Sequence, residues 1–459
     1  MNYLINKLIM SGINKNKSLL KASFPYNENI YKKEEANTND KTNNISNYGK
    51  RKKNNYRQEI YSNKKNINKR KILIEDDSKP IFKIEKMESE NYLNINEKNK
   101  NDNKEILSVL NENFDEINGY LFFSNYQLGK GSFGKVYYGM DNKYENDFAI
   151  KVQYYKNNDL TTFTNELKFL DILKNEIGFP QVFYNYQNAI EKRFILVESL
   201  LGPSLDKLLK FCNKQFKLQT ICYIGIEMIE RLETLHKKFI LHRDIKPNNF
   251  IWGNYTRKKK SKKNFNNIFL IDFGLSCFYI IKEKHYECST GNSFIGTLRY
   301  ASINTHKGIT ESRRDDLESV MYVLIYLFNG CLPWQGIKAK TKSERQILIK
   351  EKKLSVSITD LCKGLPKEFI NMIEYTKNLR FEEKPNYELY KFNFKRILNG
   401  LEKENKYSNK GLNDRRYKYE WENLMINASN KNEVINLFEG YPFDYNQYIN
   451  DIKKNYNIN

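Results

Sequence analysis

Residues 239–253, Phe-Ile-Leu-His-Arg-Asp-Ile-Lys-Pro-Asn-Asn-Phe-Ile-Trp-Gly, decide how the rest of the chain is read. His242, Arg243, Asp244 and Asn249 stand in the pattern H-R-D-x-x-x-x-N. A carboxylate such as Asp244 can accept the proton of an attacking hydroxyl, and an amide five residues on can share in holding a cation. The apolar runs on either side, Phe239-Ile240-Leu241 and Phe250-Ile251-Trp252, are expected to anchor this loop between short buried strands. The plainer alternative is a surface turn built on Pro247-Asn248-Asn249. The surroundings weigh against it.

Upstream, Ile221, Ile224, Met228, Leu232 and Leu235 step by three or four, which predicts a long helix from Lys217 with one buried face, delivering the chain to His242. Leu200-Leu201-Gly202-Pro203-Ser204-Leu205 marks the link into that helical region, and 179–183 and 194–197 are predicted strands. Phe148-Ala149-Ile150-Lys151-Val152 is a short apolar strand with a single lysine. An ammonium there is costly unless paired, so Lys151 is expected to lie between phosphate oxygens and the carboxylate of Glu166, in the helical stretch 164–170. Further out, Leu128 leads into Gly129-Lys130-Gly131-Ser132-Phe133-Gly134-Lys135-Val136, a G-x-G-x-x-G-x-V loop. Its glycines let backbone amides approach phosphate oxygens, and the strand-forming residues that follow set it apart from a dinucleotide-binding turn. Downstream, the charge run 257–263 reads as an exposed loop between two short strands. Ile268-Phe269-Leu270-Ile271 then leads into Asp272-Phe273-Gly274, an acid at the end of a buried strand, suited to hold a divalent cation between terminal phosphates.

In this order, the glycine loop, strand lysine, catalytic loop and Asp-Phe-Gly resemble the eukaryotic-type protein kinases. Leu-Leu-Gly-Pro-Ser-Leu at 200–205, Gly296-Thr297-Leu298-Arg299-Tyr300-Ala301-Ser302-Ile303-Asn304, the run 312–319, Leu332-Pro333-Trp334-Gln335-Gly336, the run 379–385 and Tyr419-Glu420-Trp421 resemble the casein kinase I family, which likewise has Ser-Ile-Asn where most protein kinases have Ala-Pro-Glu. The resemblance covers about residues 120–426. It implies an α+β, two-lobed protein kinase fold: a small antiparallel β-sheet lobe with one helix at about 120–200, and a larger, mostly α-helical lobe at about 203–426. It implies Mg-ATP-dependent phosphorylation of serine or threonine in protein substrates, near acidic or already phosphorylated residues. Asp244 would then be catalytic, with Lys246 steadying the transferring phosphate. The nucleotide would meet the loop Leu128–Val136, Lys151, Glu166 and the hinge residues Ser199 and Leu201, with Asn249 and Asp272 on magnesium. A substrate anion site would combine Arg299, the backbone amide of Gly336 and Arg345, an arginine where the family usually has lysine and able to grip a phosphate by two parallel bonds. Asp316 resembles the helix acid that fixes the catalytic-loop backbone. Two departures stand out. Glu198 takes the place of an apolar gatekeeper, where a buried carboxylate needs a partner or carries a proton unless the register slips by one. Met321 stands where the family commonly has glycine.

The 459 residues exceed one ordinary core and suggest two or three units. Residues 1–119, rich in Asn, Lys and Glu, bury too little to offset chain entropy and are expected to be disordered, with 427–459 as a C-terminal tail. Met1–Leu20 has Lys7, Lys15 and Lys17 without an acid, as a transit peptide has, but lacks arginine. A net charge of +22 and a pI of about 9.3 favour acidic partners, with nucleic acid expected only through the basic extension and its clusters at 50–53 and 69–71. Six cysteines without metal-ligand spacing point to a reduced compartment, cytoplasm or nucleus, and no apolar run approaches a membrane span. A monomer is expected. Competing readings are a kinase-shaped scaffold, whose mark would be loss of Lys151, Asp244 or Asp272, and a polyanion-binding protein with little turnover; all three residues are present.

Overall fold

The computed structural model describes residues 114–131, 134–143, 146–155, 161–253, 267–407 and 417–455. These all fall in one compact unit, Phe82–Asn459. Ser132, Phe133, the basic run 257–263 and the extension before Phe114 lie outside the described residues.

Six antiparallel strands form the small lobe, in the order β1-β2-β3-β4-β6-β5. They are β1 (Phe114–Ile117), β2 (Tyr120–Lys130), β3 (Gly134–Asp141), β4 (Asp147–Tyr154), β5 (Val182–Asn188) and β6 (Arg193–Ser199). The first strand among the described residues thus starts at Phe114, ahead of the expected boundary near Tyr120. The cause is local: Asn118 (φ 49°) and Gly119 (φ 80°) are both left-handed, the geometry of a tight hairpin whose twist matches its strands. β5 begins at Val182 rather than at Phe179, because Pro180 lacks a ladder donor and Phe179 turns into the core. Alternation divides the sheet. Phe148, Ile150 and Val152 pack with Ile195 and Val197 on one face, while Ala149 and Lys151 point to the other. The single helix of this lobe among the described residues, α1 (Thr161–Ile172), is pinned by Phe163 stacking on Phe194 at 3.9 Å.

The large lobe begins with α2 (Leu205–Phe211), capped by the Ser204 hydroxyl accepting from the Lys207 amide, and α3 (Leu218–Lys237). The expected apolar stripe of α3 is fully buried. Three two-stranded pieces follow: β7 (Ile240–Leu241) with β10 (Cys277–Phe278), β8 (Phe250–Trp252) with β9 (Ile268–Leu270), and β11 (Ile280–Ile281) with β12 (Lys284–His285). The rest is helical: α4 (Ile303–His306), α5 (Arg313–Asn329), α6 (Lys342–Ser355), α7 (Ile358–Leu361), α8 (Lys367–Asn378), α9 (Tyr387–Tyr407), α10 (Glu420–Ile426), α11 (Lys431–Leu437) and α12 (Tyr445–Asn455). α5 is buried on nearly every side from Asp315 to Leu327, Met321 included, as befits a central helix. Trp421 stacks on Tyr419 at 4.4 Å, and the Tyr419 hydroxyl donates to Glu227 on α3, tying residues 419–426 into the core.

The architecture is thus the expected α+β pair of lobes, a small antiparallel sheet with one helix and a helical body. Phe239 is a local exception to the expected buried run. It is 47% exposed, because a left-handed turn (φ 63°) ends α3 there. Among the described residues no helix is long and apolar enough to cross a membrane, and all six cysteines are free thiols.

Candidate active site

The catalytic loop is held from below by one carboxylate. Asp316, near the start of α5, accepts from the amides of His242 (2.9 Å) and Arg243 (2.9 Å) and meets His236 Nε2 at 3.2 Å. These donors outweigh burial and hold its carboxyl below the usual range. The loop needs such an anchor, since Arg243 is left-handed (φ 66°), a conformation that costs a non-glycine residue free energy. The Arg243 side chain donates to the Leu275 carbonyl at 2.7 Å, joining the loop to the segment after Asp272.

Above this anchor, the carboxylate of Asp244 has a donor on each oxygen. Lys246 Nζ lies 2.5 Å from Oδ2, and the Thr297 hydroxyl donates to Oδ1 at 2.7 Å. Nothing in the local sequence points Thr297 at Asp244, since the contact spans 53 residues. Gly296 explains how it gets there. Its φ is 89°, and a Cβ on it would sit 2.5 Å from the Arg243 carbonyl oxygen.

Asn249 closes the same turn, donating its side-chain amide to the Asp244 carbonyl at 2.9 Å, so its amide oxygen faces away. The Asn249 carbonyl accepts from Ile271 at 3.0 Å, which sets Asn249 beside the strand end that carries Asp272. Phe273 is fully buried against His242 and Phe179, and Asp272 (φ 70°) lines the cleft. An amide oxygen and a carboxylate side by side are hard donors that would suit a divalent cation.

From the small lobe, Lys151 Nζ makes a two-pronged contact with Glu166, at 2.6 and 2.7 Å, and lies 3.9 Å from Asp272. Burial opposes the ammonium, but Glu166, Asp272 and Glu198 together hold it well above the ordinary lysine range. Burial likewise pushes the Glu166 carboxyl up, against the pull of Lys151. Desolvating an ion costs several kcal/mol, so this pair persists only because each partner satisfies the other. β2 and β3 end in the glycine loop, where Gly131 N–H donates to the Gly134 carbonyl at 2.9 Å. Lys130 and Lys135 stand directly opposite each other there, both exposed. Facing like charges weaken a ladder, and an anion between them would relieve it.

Between the lobes lies a cleft of about 1160 Å³, lined by Leu128, Val136 and Ala149 above and by Asp244, Asn249 and Asp272 below, with room for a nucleotide. Ser199 and Leu201 line its hinge side; the Ser199 amide is already given to Gln181 O at 3.0 Å. The register has not slipped. Glu198 pairs with Ala149 and Leu196 with Lys151, so Glu198 shares the cleft face with Lys151. Burial, then Glu166, pushes its carboxyl up to about 8, with Lys151 opposing and Asp272 adding. Burial there favours the neutral form of Glu198 over the carboxylate.

The proposed anion-site residues lie away from this cleft. The Arg299 guanidinium stacks 5.7 and 5.5 Å from the Tyr300 and Tyr326 rings, and its carbonyl accepts from Trp334 Nε1 at 2.7 Å, which brings the stretch ending in Gly336 alongside. Gly336 (φ 75°) has open space around it, and Arg345 is exposed on α6.

Two lobes, a nucleotide-sized cleft, an ion pair at its roof and a doubly held carboxylate at its floor define a phosphotransferase. Residues 122–397 match the model of the protein kinase domain family, well over half of the chain, and the chain belongs to that family. As a protein kinase it uses ATP and acts on protein substrates.

Proposed function

We propose that this protein kinase transfers the terminal phosphate of Mg-ATP to serine or threonine hydroxyls beside acidic or already phosphorylated residues, in the manner of the casein kinase I family it resembles. The observation that carries the reading is Asp244 held between Lys246 and Thr297 on the floor of the cleft. With both oxygens oriented, Asp244 can receive the proton of an incoming alcohol without first reorganising. Lys246 lies beside it, placed to meet the transferring phosphate. Lys151, fixed by Glu166, presents its ammonium to the inner phosphates, and Gly129, Gly131 and Gly134 line the cleft where their backbone can approach them. Asn249 and Asp272 supply the oxygens for magnesium, which when bound would neutralise the charge of the terminal phosphates.

Arg299, the Gly336 amide and Arg345 would carry the acidic preference, since a guanidinium group can grip phosphate or carboxylate by paired hydrogen bonds. The test is transfer of labelled phosphate from ATP to an acidic serine peptide, with and without a priming phosphate, alongside the same peptide carrying tyrosine. Serine should be labelled, the primed form best, and tyrosine not. Labelling of tyrosine alone, or of nothing, would remove the reading.

A further inference from the structure

The stretch after α11 does not end the large lobe; it runs to the cleft. Phe438 is buried in the main core and stacks on Phe443 at 4.2 Å, nearly parallel, while Tyr448 of α12 sits edge-on to both. The chain turns between them, with Tyr441 N–H donating to the Phe438 carbonyl at 3.0 Å and Gly440 at φ 87°. That turn touches three parts of the kinase at once. On the small lobe, a Cβ on Gly440 would lie 2.2 Å from the Gln127 carbonyl oxygen and 3.1 Å from the Leu128 amide, immediately before the glycine loop. On the large lobe, α11 packs on α2, and Glu439 offers its charge to Lys207. At the hinge, the Tyr441 hydroxyl donates to the carbonyls of Leu201 (2.8 Å) and Gly202 (3.0 Å), and Tyr441 itself lines the nucleotide cleft.

We propose that residues 438–443 form a latch across the hinge, with Tyr441 as a positioning residue for the nucleotide, so that nucleotide binding and docking of the tail strengthen each other. The inference rests on the reading of the cleft as the ATP site. Free hinge carbonyls let the Leu201–Gly202 peptide turn, and the two lobes can then part. With the hydroxyl in place, the adenine side of the cleft is fixed before nucleotide arrives, and ordering already done is not charged again on binding. Reciprocity follows: if the docked tail raises nucleotide affinity by some factor, bound nucleotide raises tail docking by the same factor.

The test uses the full chain and two variants. Tyr441→Phe removes one hydroxyl and keeps the ring; Gly440→Ala puts a methyl where there is no space. For Tyr441→Phe, the Kd for ADP and the KM for ATP should rise about 3- to 10-fold, the worth of a neutral hydrogen bond, with the effect on ATP rather than on peptide KM. Gly440→Ala should do the same or more. In the wild type, ADP should slow proteolysis and hydrogen exchange at 438–448, and in Tyr441→Phe this protection should shrink. A Tyr441→Phe chain that melts lower yet binds ADP within twofold of wild type makes Tyr441 a structural anchor and overturns the latch, as does tail exchange indifferent to ADP. Wild-type protein that binds no nucleotide removes the reading of the cleft itself and the latch with it.

Discussion

The two ends of the cleft are built on opposite terms. At the phosphate end, Lys151, Glu166, Asp244, Lys246 and Asp272 form a net of charges whose partners sit within hydrogen-bonding or ion-pair distance. At the adenine end, the walls are the apolar Leu128, Val136 and Ala149, with the half-buried Glu198 and Tyr441 as polar groups among them. Phosphate is an anion whatever surrounds it, so the groups that handle it are limited to a few cations, carboxylates and backbone amides. Adenine is a flat, neutral base, and many different surfaces can hold it. The phosphate end is therefore constrained in residue type, and the adenine end only in shape and solvation.

The largest expected effect breaks the phosphate end. Asp244→Asn should lower kcat by about 10²–10⁴-fold, the usual worth of a positioned acid or base, with ADP affinity little changed. A variant retaining a tenth of the activity would show that orientation by Asp244 is dispensable. Gly296→Ala comes next. The added methyl meets the Arg243 carbonyl at 2.5 Å and a left-handed backbone, and must push the catalytic loop or Thr297 aside. A displacement of about 1 Å costs about 10²-fold in rate, read as kcat with unchanged nucleotide affinity. Wild-type kcat in this variant would show that Thr297 is a bystander.

The same contrast explains what could be read from the sequence. The four motifs were legible because each residue type answers a demand of phosphate chemistry at a fixed spacing, and the structure brings Lys151, Glu166, Asp244, Asn249 and Asp272 around one cleft. The two lobes followed from the family resemblance those motifs carry, and the periodicity at 221–235 gave only the long helix α3. Thr297 and Tyr441 were not legible as site residues, since their contacts span 53 and 240 residues and depend on tertiary packing alone. The hairpin at Asn118-Gly119 did carry a local signal, hidden by the Asn- and Lys-rich composition upstream. The place of Glu198 was legible but its state was not, because a carboxyl's proton is set by burial and by neighbours from β4, α1 and the segment of Asp272.

The third effect lies outside the cleft. Replacing Arg299 and Arg345 with Ala should abolish the preference for a primed peptide, a loss of about 10-fold or more in its KM for charge-assisted bonds, while ADP affinity holds. A double variant that keeps the preference would place the acidic recognition elsewhere.

The smallest effect tests the adenine end directly. Glu198 is raised from 4.5 to about 8 in the folded chain, so between those values the folded state binds more protons at this site than the unfolded state does. Its contribution to stability is then fully present below about pH 4.5 and is lost as pH rises toward and past 8. Glu311 and Asp315 are also raised, to about 8 and about 6, and share the slope of the wild-type curve, so only a difference isolates Glu198. Glu198→Gln keeps the shape and removes the titration. Across pH 5–9, the melting temperature of wild type should fall relative to that of the variant, by a few degrees at most for a chain of this size. Lys151 is the cation facing Glu198, with Glu166 and Asp272 as the facing acids, and none of these changes in the variant. A flat difference would mean that the Glu198 carboxyl is already charged and solvated. The adenine end would then carry a charge too, and the contrast between the two ends would rest on its apolar walls and Tyr441.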